Sequence, residues 1–431
     1  MLILSRLLQS LRVACAAFPD GRRADGLTYS MSDIGLSAFS LFFMQSESFL
    51  SHQRSLEEGS KTSNCHTLFG MSKIPTDNHV RAMLDPVHPR LLQGVFDEVV
   101  AVLADNDGLK QFRRLEGRTL IALDGTEYFC SQKLGCPSCQ TRMRANGRTE
   151  SYHSMLAATI VAPGHNMVVP LMPEFIVKPD GAEKQDCERN AAKRWLDTHS
   201  ERVRALRPVY LGDDLFACQP VCQLVLDKQA DFLFTAKPLS HKGLYDFMDG
   251  ATPEERTIAA KQGTKKLSLR YRWFTAVPMR EDKDALLVNW IGLVVSDAAG
   301  KPVYENAFIT SLPVSAGNVA DIAACARARW KIENGSFNVL KNNGYHLEHN
   351  FGHGKLHLAM MFAALNLLAF AVHTLCDCLE KTWADARAAK RSRVRFFEHL
   401  RTITAYMVFP SWHDLMTTLI TSIPPPQNQQ K

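Results

Sequence analysis

Between Thr119 and Lys237 the chain alternates apolar, β-rich runs with helical patterns, and this alternation constrains the fold more than any other feature. TLIAL (119–123), SMLAATIVAPG (154–164) and MVVPLMPEFIV (167–177) read as strands, with a Pro-Gly turn at 163/164 joining the last two. A mixed-charge helix is predicted over 183–206. A short strand in RPVYLGDD (207–214), a helix in QPVCQLVLDKQ (219–229) and a strand in DFLFTAK (231–237) follow. Three strands, helix, strand, helix, strand is the order of an α/β core.

The flanks have a different texture. Residues 1–115 read as helical: SDIGLSAFSLFFMQSESFL is an apolar run with Ser32 or Asp33 as its expected N-cap, and PRLLQGVFDEVVAVL repeats apolar pairs at 91/92, 95/96 and 99/100. The core's first part is expected over 116–237. Residues 238–313 read as a β insertion: KKLSLRYRWFTAV alternates at period two with Leu267, Leu269, Tyr271 and Trp273 on one face, and an Ala-Ala-Gly turn separates two further strands. The core's last part is expected over 314–380. A basic helix and the tail PPPQNQQK, expected to be disordered, follow over 381–431.

The 431 residues carry a net charge of only +6, which permits an anionic partner without demanding one. Eleven cysteines without a disulfide-framework spacing favour a reducing, cytoplasmic setting. Arg6 and Arg12 interrupt the apolar start, so an amphipathic helix is the better reading there than a signal peptide. LAMMFAALNLLAFAVHTL (358–375) approaches membrane-spanning length, but Asn366 and His373 within it favour a buried core helix over a membrane span.

Two strands are each followed directly by acid. Asp124 is read as ending the first, and Asp213 and Asp214 close YLGDD. Ligands of open α/β sheets bind at the carboxyl ends of strands. Two carboxylates delivered there repel unless a cation lies between them, and oxygen-only ligands suit Mg²⁺ or Mn²⁺. Capping of turns or helices is the competing reading for either acid alone. A third acid sits in ARARWKIENGSFNVLK (326–341), where helical spacing puts Arg329, Glu333 and Lys341 on roughly one face, with Trp330 and Ile332 expected to anchor the other against the core.

LDGTEYF, YLGDDLF and RARWKIENGSFNVLK, in that order and with a β insertion before the last, resemble the three acidic motifs of bacterial insertion-sequence DDE transposases, in the group with a Tyr-Arg-Glu-Lys signature. The resemblance covers roughly 119–375. It implies an RNase H-like catalytic core that holds two Mg²⁺ or Mn²⁺ ions on Asp124, Asp213 and Glu333. Asp213 is favoured over Asp214 because Phe216 then matches the aromatic three residues after the family's second acid. The resemblance further implies metal-dependent DNA cleavage and strand transfer at element ends, double-stranded DNA as partner, a homodimer on that DNA and no membrane. Arg329 and Lys341 match the signature's DNA-contacting basic residues, with Arg327 beside them. Ala326 stands where the signature has Tyr, and Lys341 lies one residue further from Glu333 than is usual. A repressor without catalysis and a non-mobile nuclease are the alternative readings.

Other features bear on the same reading. Cys130, Cys136, Cys139 and His153 could form a structural zinc site around one C-x2-C pair, against ordinary loop cysteines, and Arg142 and Arg144 beside them would suit a DNA-facing loop. His346, His349, His353 and His357 fall in a glycine-broken stretch that reads as a loop rather than a His-only metal site. Glu348 there is the reserve candidate for the third acid. Arg387, Lys390, Arg391, Arg393, Arg395 and Arg401 form a basic cluster that could contact phosphates or be a solvated face. Trp273 and Trp290 read as packing, with stacking on an unpaired base as the alternative.

Overall fold

The computed structural model describes residues 2–23, 27–57, 63–177 and 188–421; the tail PPPQNQQK and the predicted helix start at 183–187 lie outside the described residues. The fold is mixed α/β: a helical N-terminal region, a large mixed sheet and a helical C-terminal part. Among the described residues the sheet has twelve strands. They are β1 (Arg113–Arg114), β2 (Arg118–Ser131), β3 (Gln140–Met143), β4 (Thr149–Val161), β5 (Val169–Pro170), β6 (Glu174–Ile176), β7 (Pro208–Gly212), β8 (Asp231–Thr235), β9 (Glu254–Gln262), β10 (Lys265–Pro278), β11 (Leu287–Ser296) and β12 (Pro302–Thr310). The main path runs β3-β4-β2-β7-β8-β12-β11-β10-β9. β2, β7 and β8 are mutually parallel neighbours, and every other pairing is antiparallel.

Two expectations about strands change. Asp124 does not end its strand: β2 continues to Ser131, paired with β4 through Asp124↔Ala157 and beyond a register break between Glu127 and Phe129. The predicted strand over 167–177 divides into β5 and β6, because Pro170 and Pro173 lack the N–H that a continuous ladder needs. The expected β insertion is present as β9–β12, which extend the core sheet edgewise through the pairing of β12 with β8. β9, EERTIAAKQ, was not apparent in the sequence. It is the exposed edge of that extension, and charged, weakly apolar composition is how edge strands avoid pairing with other chains.

The N-terminal helices are α1 (Leu2–Ala16), α2 (Met31–Phe43), α3 (Phe49–Glu57), α4 (Asn64–Phe69), α5 (Asp77–Leu84) and α6 (Gln93–Asp105). α2 is capped by Ser30, whose hydroxyl accepts from the Asp33 N–H at 3.0 Å, two or three residues earlier than expected. In α6 the residues Val95, Phe96, Val99, Val102 and Leu103 form the buried stripe and meet α1 and α12. The remaining helices are α7 (Glu188–Val203), α8 (Gln219–Asp227), α9 (Lys242–Met248), α10 (Val319–Arg327), α11 (Asn338–Asn342), α12 (Leu358–Leu379), α13 (Lys381–Ala389), α14 (Arg393–Tyr406) and α15 (Trp412–Thr421).

α12 is long and apolar enough to cross a membrane, and it is buried inside the protein, packed on α2, α6 and α13. Phe362, Leu365, Leu368, Phe370 and Leu375 are all buried there, and each contributes about 1.5–3 kcal/mol by leaving water. Asn366 and His373, the polar residues singled out in this helix, have partners. Asn366 Nδ2 donates to the Tyr345 carbonyl at 2.8 Å, and His373 Nδ1 lies 2.7 Å from the Tyr345 hydroxyl. They fasten the segment after α11 to the core.

Candidate functional site

The pairing of β2 with β7 sets the geometry of the acids. The parallel register runs Thr119↔Pro208 to Ala122↔Leu211 and stops there. Two residues further on, the same register brings Asp124 level with Asp213. Level residues of adjacent parallel strands share a face and lie about 4.8 Å apart along the hydrogen-bond direction. β2 continues against β4 while β7 ends at Gly212, so the strands part where the acids emerge.

Asp213 and Asp214 have different surroundings. Among the described residues, Asp213 Oδ1 accepts the local N–H of Leu215, at 2.9 Å. Asp214 Oδ1 is engaged by the Lys237 N–H at 2.6 Å and by His241 Nε2 at 3.1 Å, which ties it to the segment after β8. Asp213 is the acid that faces Asp124.

Glu333 comes from a segment that is not a regular helix. α10 ends at Arg327, a π-helical turn spans Ile332–Phe337, and α11 follows. Such π-turns occur often at functional sites. The turn packs on β2 and β4, with Ile332 fully buried. Trp330 does not anchor this segment: it is 49 % exposed. Its neighbour Lys331 is buried and donates to the His165 carbonyl at 2.7 Å, with its Nζ 4.9 Å from the Trp330 ring centre. Because the backbone departs from 3.6 residues per turn, the expected single face divides. Arg329 and Glu333 pair at 2.7 Å, whereas Lys341 pairs with Glu348 at 2.8 Å. Glu348, the reserve acid, is thus committed to Lys341 rather than to Asp124.

Arg329 joins the acids. Its Nη1 donates to Asp124 Oδ2 at 3.0 Å and its Nη2 to Glu333 Oε1 at 2.7 Å. Burial pushes the Asp124 carboxyl up to about 7; Arg329 opposes this, and the charges of Glu333, Asp213 and Glu188 add to it. Burial also opposes the charge of Arg329, but Glu333 and Asp124 raise its pKa overall. Glu188, the first residue of α7, is a fourth acid that the sequence did not single out. Burial, then Asp213, pushes its carboxyl upward. A Cβ on Gly125 would lie 2.1 Å from the Glu188 carboxylate carbon, so the glycine after Asp124 makes room for that acid. Carboxylate oxygens suit hard divalent cations, but among the described residues these acids do not bring three ligand atoms within 4.8 Å of one another.

A second cluster lies beyond the register break in β2. Cys136, Cys139, His153 and His353 bring one ligand atom each to within 4.8 Å of all the others, and the group could hold a metal such as zinc. Cys130 is not part of it: that thiol is exposed and donates to Glu150 Oε2 at 3.3 Å. His353 takes its place, from a loop some 200 residues away. Cys139 and the two imidazoles favour the thiolate of Cys136.

The other predicted residues divide between surface and interior. Arg142 and Arg144 are ion-paired with Glu127 and Glu150. The Arg327 guanidinium lies 4.6 Å from the Tyr304 ring centre and lines a cavity of about 980 Å³ with Lys265 and Lys266, beside the inserted strands. Arg391 and Arg395 are exposed. Arg393 instead pairs with Asp377 at 3.4 Å and donates to the Tyr345 hydroxyl at 2.8 Å. Arg387 pairs with Asp377 at 2.9 Å, Lys390 is buried, and Arg401 donates to the carbonyls of Met44 and Gln45. Arg387 and Arg393 therefore hold the C-terminal helices together through Asp377, and Arg401 ties α14 to the N-terminal region. Trp273 and Trp290 are buried packing residues, and Trp290 Nε1 donates to Tyr245 Oη at 3.2 Å. His346 and His349 lie in the loop after α11, and His357 stands beside His88 with ring centres 4.8 Å apart. No family model matches the chain, and no curated protein matches it.

Proposed function

We propose that the chain is a DDE-type transposase with an RNase H-like core, cutting and joining DNA at the ends of its own element. The observation that carries this reading is the parallel register that brings Asp124 level with Asp213, with Glu333 linked to Asp124 through Arg329. The strand order also supports it. An antiparallel group β6/β5-β4-β2, continued by the parallel strands β7 and β8, is the arrangement expected of an RNase H-like core. The inserted strands fall between β8 and the Glu333 segment, as the family resemblance implies.

Asp124, Asp213 and Glu333 would hold one or two Mg²⁺ or Mn²⁺ ions, which when bound polarise a phosphodiester and favour an ionised attacking oxygen. The chain's own residues prepare that site. Burial and crowding keep Asp124 short of full ionisation near neutral pH, so cation binding and proton release are linked there. Arg329 balances part of the charge and, on the reading, can turn to a phosphate. Exposed Arg391 and Arg395 would hold the DNA backbone without reading its sequence. On this reading the protein works as a homodimer on double-stranded DNA, in the cytoplasm and associated with the nucleoid.

The test is to incubate purified protein with DNA carrying the gene's own flanks, with Mg²⁺ or Mn²⁺, and to map the 3′ ends. Metal-dependent breaks at the flanks, absent with Asp124→Asn, are the expected result. Specific binding without breaks in either protein would replace the reading with a repressor. Breaks throughout the DNA would replace it with a plain nuclease.

A further inference from the structure

The geometry points to a closed, structural zinc centre at Cys136, Cys139, His153 and His353, which staples the β2–β4 end of the sheet to the loop that follows the Glu333 segment. Zinc with Zn–S of about 2.3 Å and Zn–N of about 2.0–2.1 Å in a tetrahedron requires edges of about 3.8 Å for S–S, 3.5 Å for S–N and 3.3 Å for N–N. Five of the six edges here are 3.8 Å between the two sulfurs, 3.5 Å from Cys136 Sγ to His153 Nε2, 3.3 Å from Cys139 Sγ to either Nε2, and 3.2 Å between the imidazole nitrogens, and the sixth, Cys136 to His353, is within 4.8 Å. The first five agree with the zinc tetrahedron to within about 0.2 Å, the tolerance expected of a real site.

The chemistry of the donors agrees. His353 Nδ1 lies 3.0 Å from the Gly354 carbonyl, which can only accept. In the neutral ring the proton is therefore on Nδ1, and Nε2 offers its lone pair to the cluster. Two sulfurs and two imidazole nitrogens converge on one point, with Cys139 and His153 buried. Four protein ligands leave no open position, as in structural rather than catalytic zinc sites.

The position of the centre gives its role. The C-x2-C pair lies between β2 and β3, His153 is on β4 opposite Phe129, and His353 belongs to the loop between α11 and α12. The same loop is held from the N-terminal region. Asp85 accepts the N–H groups of Lys355, Leu356 and Leu358, and Arg81 donates to the Phe351 carbonyl at 2.9 Å. Gly354, at φ +69°, passes so close to Asp85 that a Cβ would lie 2.3 Å from its carboxylate. Zinc would thus lock a junction of three parts of the chain. This inference rests on the cluster alone and does not depend on the transposase reading.

The test is metal analysis of the full chain purified from zinc-supplemented culture without chelator. About one zinc per chain is expected in the native protein, in Cys130→Ser and in His349→Ala, and less than about a tenth in Cys139→Ser and His353→Ala. Protease should cut between residues 343 and 357 in the zinc-free variants and not in the native protein. His353→Cys preserves four ligands and provides a readout if the other variants fail to fold. Its cobalt derivative should remain tetrahedral and gain thiolate charge-transfer absorption over the native cobalt protein. A native protein without zinc, a Cys136–Cys139 disulfide in its place, equal zinc loss in Cys130→Ser, or unchanged charge-transfer absorption in His353→Cys would each overturn the proposal.

Discussion

Arg329 Nη1 lies 3.0 Å from Asp124 Oδ2, so a carboxylate whose burial resists ionisation has a cation at contact. Replacing Arg329 with Met removes that cation and keeps much of the side chain's bulk. Proton release from Asp124 should then require higher pH. The midpoint of pH-dependent Mn²⁺ binding, followed by electron paramagnetic resonance, is expected to rise by about one unit.

The raised pKa of Asp124 also has a consequence for stability. Its folded value is about 7 against an ordinary 3.8, so the folded state holds this proton more tightly than the unfolded chain does. The resulting stabilisation is fully present below about pH 4 and is lost as pH rises through about 7, a change of about 4 kcal/mol for a shift of this size. Asp124→Asn should remove that part of the pH dependence in urea unfolding without added divalent metal. Mg²⁺ or Mn²⁺ should raise the melting temperature of the native protein more at pH 8 than at pH 6.

Gly125 is required by Glu188, at the start of α7, rather than by its own backbone. Gly125→Ala sets a methyl against the Glu188 carboxylate and should cost about 1–3 kcal/mol. The double variant Gly125→Ala, Glu188→Ala should recover most of this loss. Chemical denaturation of both variants measures the coupling.

Asp377 stands between two partly buried guanidiniums, Arg387 at 2.9 Å and Arg393 at 3.4 Å. Asp377→Ala leaves both cations without their counter-ion and should cost about 3–5 kcal/mol. Asp377→Asn, which retains the shape and an acceptor, should cost less. Urea unfolding curves compare the two.

The basic residues before and within α14 should separate by the same logic. Arg391→Ala and Arg395→Ala should leave melting unchanged and each reduce the salt slope of DNA binding by about one. Arg393→Ala should instead lower stability through Tyr345 and Asp377, with little effect on that slope. Melting curves and fluorescence anisotropy titrations in graded salt distinguish these outcomes.

Much of the sheet was legible because apolar runs bounded by acids, Pro and Gly identify buried strands directly. Asp124 and Asp213 were legible as a pair because each follows such a run. Glu188 was not, because a charged residue at the start of a mixed-charge helix looks like solvent-facing charge. The only trace of it in the sequence was the glycine after Asp124, which marks a close approach without naming the neighbour. The π-helical turn hid Trp330's exposure, since residue spacing was read at 3.6 per turn. His353 was one of four histidines in an irregular loop, and nothing local distinguishes the one that reaches Cys139.

The edgewise extension of the sheet makes the inserted strands a fixed ruler. From β7 to β9 there are five hydrogen-bonded steps, a span of about 24 Å at about 4.8 Å per step. Along duplex DNA that distance is about seven base pairs. In a protein that cuts DNA beside β7, whatever the outer strands grip is therefore held at a set number of base pairs from the break.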